Sequence, residues 1–271
     1  MTLKTITHPE TGKTFKMGRV RPRVRQPRLA LLNYLGLNLP KPPDGPLDYT
    51  AKAKTFLAEV LANDSLGDCT CAGIMHVGGA FLGNVDQSIP FTEADTIGLY
   101  EKACGYNPAD PSTDQGGNEQ DVLNYVKANG LLADGSHKIA AWAGVNGAEA
   151  AQVKTAIWLF ENVYFGVELP DAWVSPMPSG DGFVWDVAGD ANPEQGHCFC
   201  GLGYTGQGVM IDTWGMIGII TWAAIAKYAT SHGSGELYTV FGPDSISKAT
   251  AKCPAGFDAT QLAADIQAYG G

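Results

Sequence analysis

No apolar run in this sequence approaches the roughly 20 residues a helix needs to cross a bilayer. The first twenty residues, MTLKTITHPETGKTFKMGRV, also lack the apolar core of a secretion signal. The expectation is a soluble protein with no membrane partner, cytoplasmic when synthesised and open to later release by lysis. Charge is scarce too: Asp, Glu, Lys and Arg make up 17% of the chain against 45% hydrophobic residues, a globular composition. At 271 residues the chain can form one large domain or two lobes sharing a cleft. There is no internal repeat. Histidine is rare, five in all, so candidates for a catalytic base can be taken one at a time. The six cysteines read as free thiols or metal ligands of a reducing compartment, and no structural disulfide is expected.

What charge there is lies unevenly. Residues 1–28 hold eight Lys/Arg against one acid, Glu10, so this arm carries +7 and the remainder −17 of a net −10. Such an arm fits an acidic surface on an assembly partner, or it lies on its own acidic body. Prolines in RVRPRVRQPR keep it extended, and without interleaved aromatics it is not built to recognise nucleic acid. The proline-rich LPKPPDGPLDYT (39–50) then leads into the main body. The division expected is 1–49 as an extended basic, proline-rich arm and 50–271 as the domain. Within it a helical lobe runs over about 50–147 and a sheet-rich lobe over about 148–271.

The first half has helical patterns. Small and apolar residues from Cys69 to Leu82 (CTCAGIMHVGGAFL) predict a buried helix starting at Cys69, and further helices are predicted at Thr92–Cys104, Asn118–Asn129 and Ala148–Glu161. The second half changes period. VYFGVEL (163–169), GHCFCGLGYT (196–205), GVMIDTW (208–214) and ELYTVF (236–241) are short, β-branched or aromatic, and bounded by glycine-rich turns, so they predict strands. Helices followed by strands indicate an α+β protein of two packed lobes.

Cysteine chemistry needs a thiolate, and a helix N-terminus favours one through its dipole and free N–H groups. Cys69, in LGDC, fits that position; Cys71 is its competitor. Of the histidines, His8, His137 and His232 sit in the arm or in turns. His76 is seven residues beyond Cys69 on the same helix, about two turns and roughly 10 Å away, too far for direct partnership. His197 opens one strand and Asp212 ends the next, so a hairpin through TGQG can bring them together. A core histidine beside a structural aspartate is the plainer alternative. Zinc is disfavoured: the pairs in CTC and HCFC have one intervening residue where about two to four are usual, and on a strand Cys198 and Cys200 face away from His197. No metal or cofactor is expected.

These residues resemble the papain-like cysteine peptidases, which place a Cys at the start of a central helix, then a strand of the form GHAVxxVGY, then Asn before SWG. Here GHCFCGLGY and DTWG follow Cys69 in the same order, and QGGNEQDVLNYVKANGL (115–131) resembles the family's GG-to-helix segment. The pattern spans roughly 63–215. The resemblance implies a two-lobe fold, a helical lobe plus an antiparallel sheet or barrel lobe. It implies a thiol hydrolase of peptide or amide bonds acting on a peptide or protein substrate. Cys69 would be the nucleophile, His197 the base, Asp212 its orienter, and Asn63, six residues before Cys69, an oxyanion donor. Trp214 would shield the orienting hydrogen bond. Thr70 after the nucleophile, Asn63 for glutamine and Asp212 for asparagine are departures. The run N-D-x-x-G-D-C is also similar to uncharacterised phage and bacterial proteins. The rival expectation is therefore a non-catalytic structural or decoration protein of a phage virion, with the arm lying along its neighbours.

Overall fold

The computed structural model describes residues 3–22, 29–253 and 256–269. The arm's Arg23, Arg25 and Arg28 lie outside the described residues. The arm contributes three short strands, β1 (Thr5–Thr7), β2 (Thr14–Lys16) and β3 (Arg19–Val20), and the proline-rich stretch ends in β4 (Leu47–Asp48). Next come α1 (Lys54–Leu57), α2 (Cys69–Asn84), α3 (Glu93–Cys104), the short strand β5 (Gly117–Asn118) and α4 (Glu119–Asn129). Each of the two last helices has the start and stop its sequence provides. Thr92 and Asp95 form a reciprocal capping box, Asn118 accepts the amides of Gln120 and Asp121, and Gly105 and Gly130 close the helices at positive φ.

The rest of the chain runs through β6 (Ala141–Gly144), α5 (Ala150–Phe160), β7 (Val163–Glu168), α6 (Asp171–Val174), β8 (Val184–Trp185), β9 (Gly196–Tyr204) and β10 (Gly208–Thr213). It ends with β11 (Met216–Thr221), α7 (Trp222–Tyr228), β12 (Glu236–Phe241), α8 (Ser245–Lys252) and α9 (Ala259–Tyr269). The large sheet has the order β6-β12-β7-β9-β10-β11-β8, with β4 adding to β9. All its pairings are antiparallel except β11 with β8. β11 lacks a separate sequence signal because it follows β10 after two residues and reads as part of the same apolar stretch.

The sheet separates two apolar cores. On one side α2, α3 and α4 pack against Tyr164, Cys198, Cys200, Leu202 and Val240. On the other, Phe165, Phe199, Val209 and Ile211 meet α5, the tryptophans Trp173 and Trp185, and the arm's Ile6, Phe15 and Met17. α2 is buried nearly all round, as its small residues allow. At Gly79 a Cβ would lie 2.3 Å from the Phe56 ring, so the absence of a side chain lets α1 reach α2. The arm is thus part of a core, which its basic composition did not suggest.

Candidate active site

Cys69 is the first residue of α2, with Asp68 at the N-cap, and it is 1% exposed. The backbone N–H groups of Cys198, in β9, and of Gly18, in the arm, are near enough to favour its thiolate. Two effects compete there. The helix terminus favours a thiolate, but removal from water dominates and pushes the Cys69 thiol up to about 12, with Asp68 and Glu119 adding in the same direction. Cys71 points elsewhere, to Cys104, and burial raises it well above the usual thiol range. All six cysteines are free.

His197 precedes Cys198 in β9, and its ring faces the other side of the sheet, with Phe199 and Trp214. Its Nε2 lies 2.7 Å from Thr213 Oγ1, its ring stacks on Trp214 at 4.4 Å between centroids, and Nδ1 has no hydrogen-bond partner. Burial alone lowers its pKa to about 3, so the ring is neutral. Trp214 and Gly215 form the two-residue turn between β10 and β11, both at positive φ (54° and 75°). That is the pattern of a hairpin turn whose twist suits the strands. A tryptophan rarely adopts such a φ, and the stacking on His197 accompanies it.

Asp212 does not orient His197. Its Oδ2 stands 2.7 Å from His76 Nδ1, on the helical side of the sheet. The cause is a β-bulge: Tyr204 pairs with Val209 but Gly201 with Ile211, so β9 uses three residues where β10 uses two. An uninterrupted ladder would set Asp212 opposite Gly201, on the face of His197. The bulge sets it opposite Cys200, and alternation then carries it to the other face. Thr213, the next residue, takes the place beside the imidazole. Neither Thr213 nor His76 was singled out from the sequence for these contacts; knowing the register would have exposed both.

Asn63 is also reassigned. Its side-chain nitrogen donates to Leu66 O at 3.2 Å and to Asp68 Oδ1 at 3.3 Å, so both hydrogens are engaged within its own loop rather than offered to an oxyanion. Asp68 is fully buried, which raises its carboxyl well above the usual range. His76, Cys200 and Asp212 bring one donor atom each within 4.8 Å of one another, the donor set of a transition metal site. These are not the cysteine pairs weighed from sequence. The 2.7 Å Nδ1 to Oδ2 distance is that of a direct hydrogen-bonding contact, shorter than the spacing of two ligands around one ion.

The site is covered. β3 pairs in parallel with β5, Arg19 with Gly117 and Val20 with Asn118, so the arm crosses the thiol as an extended strand. Gly117 N–H donates to Gly18 O at 2.8 Å. A Cβ on Gly18 would lie 1.9 Å from Gly67 O, so only glycine passes this point. Basic residues clamp the arm to its own body: Lys16 to Asp114 at 2.6 Å, Arg19 to Glu119 and Glu236, and Arg21 to Glu168.

No protein-family model matches the sequence, and no curated protein matches it. Solved structures do. The chain is similar to xylellain, a cysteine protease from Xylella fastidiosa, with TM-score 0.58 and 13% identity over 89% of this chain and 99% of that one. It is similar to the digestive procathepsin L2 proteinase of Tenebrio molitor larval midgut, TM-score 0.55, 12% identity, 86% and 80% covered. The proform of the ragweed allergen cysteine protease Amb a 11 gives 0.54, 14%, 82% and 72%. The chain has the papain-like cysteine protease fold, α+β with two lobes.

Proposed function

We propose that the chain is a papain-like cysteine hydrolase of peptide or amide bonds, held latent by its own arm, with Cys69 as nucleophile and His197 as base. One observation carries this reading: the thiol at the start of α2 lies by the backbone of Cys198 in β9, the residue after His197, whose ring is tied by Thr213 and stacked on Trp214. Nδ1 has no hydrogen-bond partner, so it is the ring nitrogen left to take the thiol proton once arm displacement lets the two groups approach. In the reaction Cys69 passes that proton to His197 and its sulfur attacks the carbonyl carbon. His197 returns the proton to the leaving amine as the C–N bond breaks, and water then releases the acyl group from sulfur. The Cys69 backbone N–H, at the helix start, is the donor assigned to the oxyanion. Thr213 is a positioning residue. Asn63 and Asp212 are left out of the machinery because their side chains are engaged elsewhere.

Burial keeps both thiol and imidazole neutral beneath the arm. Displacing the arm admits water, lowers the thiol and raises the ring, and so favours proton transfer. Two of the similar structures are described as proforms. The test is labelling by a peptidyl epoxide. Lys16→Ala/Arg21→Ala, which removes two arm clamps, should label at least tenfold faster than the natural chain, and adding Cys69→Ala should abolish it. Undiminished labelling of the Cys69→Ala protein removes Cys69 from the role. The covered thiol is also what a non-catalytic body would tolerate, so no labelling in any variant would favour a structural part. Against an assembly role for the arm, its described basic residues contact this chain's own acids.

A further inference from the structure

The Arg19 side chain is fully buried, in a recess that adjoins the Cys69 thiol. Its Nη2 lies 2.9 Å from Glu236 Oε1 and donates to Ser234 O at 3.3 Å, while Nε lies 3.1 Å from Glu236 Oε1 and 3.5 Å from Glu119 Oε2. Tyr238 Oη donates to the other Glu236 oxygen at 2.7 Å and receives Gln120 Nε2 at 2.9 Å, which fixes that carboxylate. The recess is carved by missing side chains. A Cβ at Gly166 would sit 1.8 Å from Glu119 Oε2 and 2.5 Å from Arg19 Nε, and one at Gly196 would sit 2.4 Å from Arg19 O.

We propose that this acidic recess is the side-chain pocket by which the cleft selects an arginine in a bound peptide, and that Arg19 is its intramolecular occupant. The inference deepens the hydrolase reading and rests on it for the word substrate. A structural ion pair alone would not need what accompanies this one. The main chain carrying the guanidinium is an extended strand, paired with Gly117 and Asn118, and the backbone N–H of its preceding residue favours the thiolate of the proposed nucleophile. Backbone pairing for affinity with one side chain seated in a pocket for choice is how an extended peptide is recognised at a strand edge. Glu119 and Glu236 face each other there, and a guanidinium matches two carboxylate oxygens in a way an ammonium does not. Burial and the facing Glu236 raise the Glu119 carboxyl well above the usual range.

The test uses the full-length chain carrying Cys69→Ala, so that binding is read without hydrolysis. Arg19→Ala vacates the recess. Calorimetry with acetyl-Gly-Arg-Val-amide should then show binding at least tenfold tighter than with the norleucine analogue, and adding Glu236→Gln should erase that ratio. Equal binding of the two peptides, or none, by folded protein overturns the proposal. Should Arg19→Ala fail to fold, Lys16→Ala/Arg21→Ala keeps the recess intact. There the arginyl peptide should speed amide exchange at residues 18–20 and the norleucine peptide should not; equal effects, or none, overturn it equally. Selective binding joined to an inert Cys69 in the labelling experiment would leave the pocket standing and remove the hydrolase.

Discussion

The exchange of Asp212 for Thr213 beside the imidazole is the sharpest consequence of the structure. Thr213→Val keeps the shape of the side chain and deletes the oxygen 2.7 Å from His197 Nε2. Thr213 is 3% exposed and His197 1%, so water does not replace the lost partner. An unpartnered buried polar group costs about 1–3 kcal/mol. For a chain of this size that lowers the melting temperature by about 2–12 °C. If the same energy positions the ring for proton transfer, epoxide labelling in the arm-loosened background slows by about 5- to 150-fold. Asp212→Asn acts elsewhere. It weakens the buried contact with His76, at a cost of about 1–3 kcal/mol where a polar atom is left without its partner. It should leave the pH dependence of labelling unchanged in protein that remains folded. Thermal melts with labelling rates across pH 5–9 separate the two. A Thr213→Val protein of natural stability and rate, beside an Asp212→Asn protein that loses reactivity without losing stability, would refute the register argument.

Other outcomes follow from the same geometry. His197 titrates near 3 in the fold against 6.5 in the open chain, so the unfolded state binds its proton first. Its contribution is present above about pH 6.5 and is lost as pH falls toward 3, at roughly 1.4 kcal/mol per pH unit. Urea midpoints should therefore fall less steeply for His197→Gln than for the natural chain over that range. With the Cys69 thiol near 12, iodoacetamide at pH 8 should modify the half-buried Cys104 first and Cys69 only after denaturation, read by peptide mass mapping. Gly79→Ala drives a Cβ to 2.3 Å from the Phe56 ring and should cost about 1–3 kcal/mol in denaturant melts.

Much of this was legible in the chain. The helices over 93–104 and 119–129 announce themselves by caps that need only local residues, and the strands over 163–168, 196–204 and 236–241 by β-branched and aromatic runs. Cys69 at a helix start follows from small apolar residues after LGD. Alternation even told that Cys198 and Cys200 turn from His197, because parity along one strand is local. The arm was read as basic and extended, but the chain could not say whether its counter-charges lay on a neighbour or on itself. Glu119, Glu168 and Glu236 are 100, 147 and 217 residues from the arginines they hold.

Composition and local pattern therefore determined the main helices and strands, their order, the two-lobe class and the residue that leads α2. The tertiary structure decided which side chains meet. A single extra residue in β9 turned Asp212 toward His76 and gave His197 to Thr213, and one strand of the arm paired with β5 beside the start of α2. Both depend on register and on contacts between distant segments, and a strand's side chains change face with every one-residue shift. Local sequence sets which residues alternate; only the assembled sheet sets which partner each one faces.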